Sequence, residues 1–334
     1  MLRCLACRRH NYFRQRLILA TLSGKIVKIE KIRPDHEDLG IKDFEVSFLR
    51  LLEKATNGSS IEISYTGTSV LYKPGVITGG KIFHECSNTR AIGYYLEQII
   101  ALAPFAKIPF DLTLTGITND NNDISISKRG SPPLGGGEVT FRSPIVRALK
   151  PMQFINEGRI KRIRGIACCT RVSPQNANRM AESARSILNR YIPDIYIYTD
   201  VYKGEESGKS PGFALSLVAE STTGALMSAE QAANPGETPE DIGLRTAKLL
   251  LSEILLGGCV DSYNQWLVLL MMVLSPEDVS KVKLGKLTPF TMQYLRDIKD
   301  FLNVSFKTVS DSTSNTITLS CVGVGYVNYN KKTS

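Results

Sequence analysis

The stretch from Arg159 to Leu256 constrains the fold most, because it carries a complete set of α/β elements of its own. Arg159–Thr170 reads as a long basic strand. Ser173-Pro174 reads as an N-cap followed by a proline at the first helical position, where the missing N–H costs nothing. Met180, Ala184, Ile187 and Leu188 form that helix's apolar face. Tyr191–Val201, Phe213–Ala219 and Ala225–Ser228 read as strands, and Pro239–Leu256 as a closing helix. Elements with their own apolar faces need their own core. The spacing therefore predicts a small α/β domain over residues 150–252, inserted into a large domain made of residues 1–149 and 253–334.

The flanking segments are also mixed α and β. Ile26, Ile29 and Ile32 mark a strand with Lys25, Lys28, Lys31 and Arg33 toward solvent. Ile41, Phe44, Phe48, Leu51, Leu52 and Ala55 follow helical spacing, and Asn57-Gly58 supplies a left-handed cap. Strands follow around Thr66-Gly67 and near Lys81, then a helix through Ile92, Leu96 and Ile99, and a strand over Phe110–Leu114. Beyond the insertion come a buried helix over Tyr263–Leu274, a helix over Pro289–Leu302 and three terminal strands. The fold class is α/β in the α+β sense, with strands in runs and helices on one face.

The longest apolar run is Trp266–Leu274, well short of the roughly 20 residues that span a bilayer, so no membrane association is expected. The first 29 residues hold five arginines and no acid, but they run directly into LILATLSGKIVKI, which reads as the start of the fold rather than as a transit peptide. Cys4-x-x-Cys7 lacks a second pair at zinc spacing, and Cys168-Cys169, adjacent in a strand-like segment, do not easily bridge each other, so reduced thiols and a cytosolic or nuclear setting are expected. Forty-one Lys and Arg against 32 Asp and Glu give a net charge of +9, which points to a polyanionic partner, nucleic acid first.

Gly204 to Ser210, GEESGKS, imitates a phosphate-binding loop but is one residue short between its glycines, and Pro211-Gly212 follows where a helix must begin. A nucleotide-hydrolysing site is rejected on that ground. The histidines are His10, His36 and His84, none at metal-ligand spacing, so neither a metal nor a cofactor is expected. His84 beside Glu85 reads as a partly solvated polar pair. The strongest local motif is RGSPPLGGGEV, Arg129 to Val139, where two prolines stiffen the approach to three consecutive glycines. It reads either as a surface loop or as a place where backbone comes close to a phosphate.

That motif, R-G-x-x-P-x-G-G-G-x-[LIV], resembles the signature of the RNA 3'-terminal phosphate cyclase superfamily, on Arg129, Gly130, Pro133, Gly135, Gly136 and Gly137. FRQRLILATLSGKIVKIEKIR, TGITND, GRIKRIRGIA, RVSPQNANRM, SGKSPGFALSLVAE and GGCVDSYNQ match as well, from about Phe13 to Val327. The resemblance implies a large domain of repeated units, each a four-stranded sheet backed by two helices, with a smaller α/β domain inserted before the last. It is closest to the cyclase-like branch that acts in ribosome biogenesis. This branch implies a nuclear, nucleolar factor of pre-rRNA processing and small-subunit maturation, with pre-rRNA, a large ribosome-biogenesis GTPase and other small-subunit processome proteins as partners. True cyclases take up the adenylyl group on a C-terminal histidine. The matching segment here, Gly285 to Thr291, has none, so cyclase activity is not expected. HNYFRQRL stands where cyclases carry a glycine-rich N-terminal loop. Between Asn122 and Ser125 the chain lacks the helix and connection usual in the family, which would leave one sheet face uncovered.

Two sets of site residues follow. Arg159, Lys161, Arg162 and Arg164 crowd one strand and are the candidate RNA contacts; aromatics interleave poorly with them in sequence, which favours phosphate contact over base stacking. Arg296, Asp297 and Lys299 should lie off the buried stripe of Phe290, Tyr294, Ile298 and Phe301. If the chain is instead an endonuclease, an activity suggested for the branch, this face is the candidate: two cations for the phosphate, Asp297 as base.

Overall fold

The computed structural model describes residues 4–8, 12–118 and 125–330. The chain opens with β1 (Leu5–Arg8), α1 (Phe13–Ser23), β2 (Val27–Glu30), α2 (Asp43–Ala55), β3 (Thr56–Asn57), β4 (Ser60–Ile63) and β5 (Val70–Lys73). Helix α2 forms because its apolar residues fall on one stripe, with Phe48, Leu51 and Leu52 fully buried. Its start is fixed by Glu45, whose carboxylate accepts from the Lys42 backbone N–H at 2.9 Å and from Arg33 at 2.7 and 2.8 Å. The helix does not end on the left-handed cap expected at Asn57-Gly58. Thr56 is already extended, and β3 pairs with β6 (Val76–Ile77), so Gly58, at φ +79°, serves the turn into β4.

A second unit follows: β7 (Gly80–Glu85), α3 (Gly93–Leu102), β8 (Phe110–Gly116), β9 (Ser125–Lys128) and β10 (Gly137–Ser143). β11 (Gln153–Phe154) then opens a third, which the inserted elements interrupt. These are β12 (Ile160–Thr170), α4 (Gln175–Leu188), β13 (Ile195–Tyr202), β14 (Gly212–Ser221), β15 (Leu226–Ala232) and α5 (Pro239–Leu256). The third unit resumes with α6 (Gln265–Leu274), β16 (Val279–Leu284), α7 (Pro289–Leu302), β17 (Lys307–Asp311) and β18 (Thr316–Val322). Among the described residues two strands follow α7, not the three expected at the C-terminus, and β16 lies between the two helices.

The three units share one topology, with sheet orders β1-β2-β5-β4, β7-β8-β10-β9 and β11-β16-β18-β17. In each, the first strand runs parallel to the second and the remaining pairings are antiparallel. The first and third units place helices after their first and second strands. Among the described residues the second has α3 alone, and residues 117–124 separate β8 from β9. The shortening expected near Asn122–Ser125 falls largely outside the described residues. One continuous core, including Leu17, Phe48, Tyr95, Leu112, Leu270, Tyr294 and Phe301, joins the three units.

The inserted sheet, β13-β12-β14-β15, has a separate core of Ile163, Met180, Ala184, Leu215, Leu217, Ile242 and Leu250 beneath α4 and α5. Its other face carries no helix of its own. Residues 160–256 contain eleven Lys and Arg and eleven Asp and Glu, so the chain's net +9 resides wholly outside this unit.

Candidate functional site

Three places on the molecule gather the residues singled out above. The first is the contact between α1 and α7. Thr288 caps α7: its Oγ1 accepts from the Thr291 backbone N–H at 3.1 Å. Thr291 Oγ1 donates to Gln265 Oε1 at 2.7 Å, and Gln265 Nε2 donates to the Lys286 carbonyl at 3.4 Å. The segment that would bear a nucleophilic imidazole is thus a self-satisfied helix cap. Tyr12 packs on Phe290 at 5.3 Å between ring centroids, and Phe290 stacks on buried Tyr294.

Below this lies an ion pair. Arg16 Nε donates to Asp297 Oδ2 at 3.0 Å, with the two side chains 5% and 4% exposed. Gln293 Nε2 donates to Asp297 Oδ1 at 3.0 Å. Asp297 was expected off the buried stripe, but it is interior, because α1 packs against α7 and supplies a cation there. Arg296 and Lys299 stay exposed, so the structure brings together two of the three proposed catalytic residues and turns the third inward. Arg296 reaches Gln293 rather than forming an i,i+4 pair with Asp300. The nearby Cys7 thiol is pushed up to about 11 by burial, although Arg16 opposes this, so it is no ready nucleophile.

The second place is the glycine-rich motif. Arg129 is buried; its guanidinium donates to the Thr118 carbonyl at 3.2 Å and lies 3.7 Å from Asp200 of β13. The loop after it is met by backbone of the inserted unit. It interlocks with the loop 204–210 of the inserted unit. Gly208 N–H donates to the Arg129 carbonyl, Lys209 N–H to the Gly135 carbonyl, and Leu134 N–H to Ser210 Oγ at 3.1 Å. Ser131 and Thr170 hydroxyls meet at 2.7 Å. A Cβ on Gly208 would collide with the Gly135 carbonyl and sit 2.8 Å from Gly130 Cα. Gly135, at φ +60°, and Gly136, at φ +83°, adopt backbone that glycine favours. Gly130 and Gly137 are buried, while Pro133 and Leu134 form the exposed tip. β14, not a helix, follows the phosphate-loop look-alike.

The third place is β12. Arg159 and Lys161 are exposed at its start and have no ion-pair partner among the described residues. Arg162 is paired with Glu220, and Arg164 with Asp194 at 2.8 and 3.1 Å. So two of the four proposed RNA contacts are already neutralised. The sequence spacing also hid two aromatics. β13 lies parallel to β12 in a register that sets Tyr196 beside Arg164 and Tyr198 beside Ile166. The alternation of Tyr196 and Tyr198 with Ile195 and Ile197 was the available signal, because it aims both rings away from the core.

His84 also departs from expectation. It is buried at 4% exposure with Nε2 at 2.9 Å from Ser47 Oγ, and burial, with lesser contributions from Lys54 and Arg50, lowers its pKa to about 4. Among the described residues no group of three or more His, Cys, Asp and Glu could hold a metal ion, and no helix is long and apolar enough to cross a membrane.

The sequence profile described as RNA 3'-terminal phosphate cyclase matches residues 8–127, and that of the RNA 3'-terminal phosphate cyclase insert domain matches residues 155–255. The chain belongs to the RNA 3'-terminal phosphate cyclase family. Within it, the chain is similar to a probable RNA 3'-terminal phosphate cyclase-like protein of Dictyostelium discoideum, 50% identical over 362 residues covering 96% of this chain and 98% of that protein. The RNA 3'-terminal phosphate cyclase-like protein of Homo sapiens is 50% identical over 357 residues, 96% of each chain. A Schizosaccharomyces pombe protein named rRNA processing protein rcl1 is 48% identical over 349 residues, again 96% of each.

Proposed function

We infer that this chain is a nucleolar factor of pre-rRNA processing that serves small-subunit maturation, and that it does so without cyclising RNA ends. The observation that carries this reading is the Thr288–Thr291–Gln265 network, which fills the place of the family's histidine nucleophile with a helix cap. Nucleotidyl transfer through a histidine phosphoramidate needs an imidazole, which neither Thr288 nor Lys286 supplies. The relative named for rRNA processing supports the process assigned. In this role the protein binds pre-rRNA and protein partners, among them a ribosome-biogenesis GTPase and other processome components. Arg296 and Lys299 contact phosphate from one exposed helix face, while Asp297 anchors that helix from inside.

The test is depletion of the protein in cells, with rescue by the wild-type chain. Unprocessed pre-rRNA should accumulate and small subunits should fall; normal processing after depletion refutes the reading. Incubation of purified protein with labelled ATP should give no covalent, acid-labile AMP adduct, and such an adduct refutes the absence of cyclase chemistry.

A further inference from the structure

The helix-free face of the inserted sheet presents Tyr196 and Tyr198 at 51% and 55% exposure, with ring centroids 4.3 Å apart in an edge-to-face arrangement. Both come from β13, an edge strand whose alternate residues Ile195 and Ile197 pack toward α4 and α5. The neighbouring strand sets Arg164 opposite Tyr196, and Arg162 stands two residues along on the same face. The carboxylates of Asp194 and Glu220 hold the two guanidinium groups in place. The exposed cations Arg159 and Lys161 lie at the open end of β12. Toward its other end the sheet closes: Cys168, Ala214 and Ser216 are buried, and Ser131 of the interlocked loop bonds Thr170. The open part is therefore a bounded patch of two rings and two guanidinium planes with a cationic rim.

Two large aromatic side chains left in water at adjacent same-face positions contribute little to the fold that carries them. A stability role would bury the rings. The aliphatic surface beside them is small, Ile166 and Val218, both half-buried, so the patch lacks the apolar core of a protein-docking face. Flat rings and guanidinium planes match the faces of nucleobases, and unpaired cations at the rim match the strand that joins them. We propose that this face is a stacking platform for unpaired bases of single-stranded RNA, with Tyr196 and Tyr198 each carrying a base, Arg164 alongside, and Arg159 and Lys161 on the backbone. The proposal rests on the reading that the chain works on pre-rRNA. Paired RNA is excluded because the bases of a duplex stack on one another and offer no face to the rings.

The experiment uses the full chain and a fluorescent, unstructured 12-nucleotide RNA, with the same sequence in duplex as comparison. Tyr196→Ala with Tyr198→Ala should weaken single-strand binding at least about tenfold, since one stacked base is worth roughly 5- to 150-fold in affinity. Tyr196→Phe with Tyr198→Phe keeps the rings and should bind within about threefold of wild type. Duplex binding should be the same for all three proteins. In the unsubstituted protein, RNA carrying 5-iodouridine should crosslink to Tyr196 or Tyr198. Wild-type affinity in the alanine pair, or crosslinks confined to other residues, overturns the platform. So does an alanine pair that keeps RNA but loses a co-purifying protein, which would assign the face to that protein. An unsubstituted protein that does not bind the single strand yet rescues pre-rRNA processing overturns the platform alone; an unsubstituted protein that does not rescue removes the reading beneath it.

Discussion

Arginine–carboxylate pairs occur in both parts of this molecule, and they do different work. Arg16 and Asp297 tie α1 to α7 inside the large domain, with side chains 5% and 4% exposed. Arg162 with Glu220 and Arg164 with Asp194 lie on the open face of the inserted sheet, with side chains from 29% to 53% exposed. In the interior each charge has lost water and depends on its partner, so the pair is an all-or-none structural element. On the open face water still solvates both groups, and the carboxylate mainly fixes the direction of the guanidinium. Burial, not residue type, separates the anchor from the surface available to a ligand.

The largest expected effect is in the interior. Asp297→Ala leaves Arg16 charged and buried, and should cost about 3–5 kcal/mol in urea or thermal unfolding. Replacing both partners by apolar residues of similar volume should recover most of that loss. A cost below about 1 kcal/mol would show that water reaches the pair and would erase the contrast. This also changes how a catalytic test must be built. Alanine at Arg296, Asp297 and Lys299 together confounds unfolding with lost chemistry, because Asp297 is not a surface residue. Arg296→Ala with Lys299→Ala, on residues that are exposed, tests phosphate contact without disturbing the core.

The misplacement of Asp297 shows where sequence reading stops. Periodicity located α7 at Pro289–Leu302, α5 at Pro239–Leu256 and the strand–helix–strand–strand–strand–helix order of the inserted block, because each is a local pattern. Asp297 is assigned the outer face with its charged neighbours, yet the same step of roughly 100° per residue sets it within about 20° of Phe290, on the buried stripe itself. The cation that permits burial, Arg16, is 281 residues away in the chain, and no local pattern reports it. The same limit hid the aromatic patch, since Tyr196 and Arg164 become neighbours only through the parallel register of β13 on β12. The glycine motif was legible as a place of close backbone approach. What it approaches, Gly208 in a loop some 70 residues on, was not.

Next in size is a buried group without a counter-charge. His84 has its pKa lowered to about 4, first by burial and then by Lys54 and Arg50. Its unfolded value is near 6.5, so between these limits the unfolded chain binds a proton that the folded chain does not. Stability from this group is fully present above pH 6.5 and declines as pH falls toward 4, by about 3 kcal/mol at most. His84→Gln should flatten the unfolding free energy across that window. An unchanged slope would mean that His84 titrates as if exposed.

Between the two regions, Gly208→Ala should cost about 1–3 kcal/mol by overpacking. Its Cβ meets the Gly135 carbonyl and Gly130 Cα, where two loops are held by backbone hydrogen bonds and neither can withdraw without losing them. Limited proteolysis should cut sooner at residues 129–137 or 204–210 in the variant. Equal protection would mean that the interlock is looser than the contacts show.

The smallest effect on stability, and the sharpest on binding, belongs to the open face. Arg162→Ala should change unfolding free energy by no more than about 1 kcal/mol, since Glu220 remains solvated when its partner leaves. RNA affinity should fall for a different reason: the substitution bares a carboxylate beside the strand's phosphates. Arg162→Ala with Glu220→Gln should therefore regain part of the affinity lost by the single change, although it restores no contact. Because Arg162 and Arg164 bring their own counter-charges, only Arg159 and Lys161 displace counterions in full. Two such phosphate contacts on single-stranded RNA give a slope of log K against log salt near about −1.4. A slope steeper than about −3 would mean that RNA lies along the large domain, where all of the chain's net charge resides.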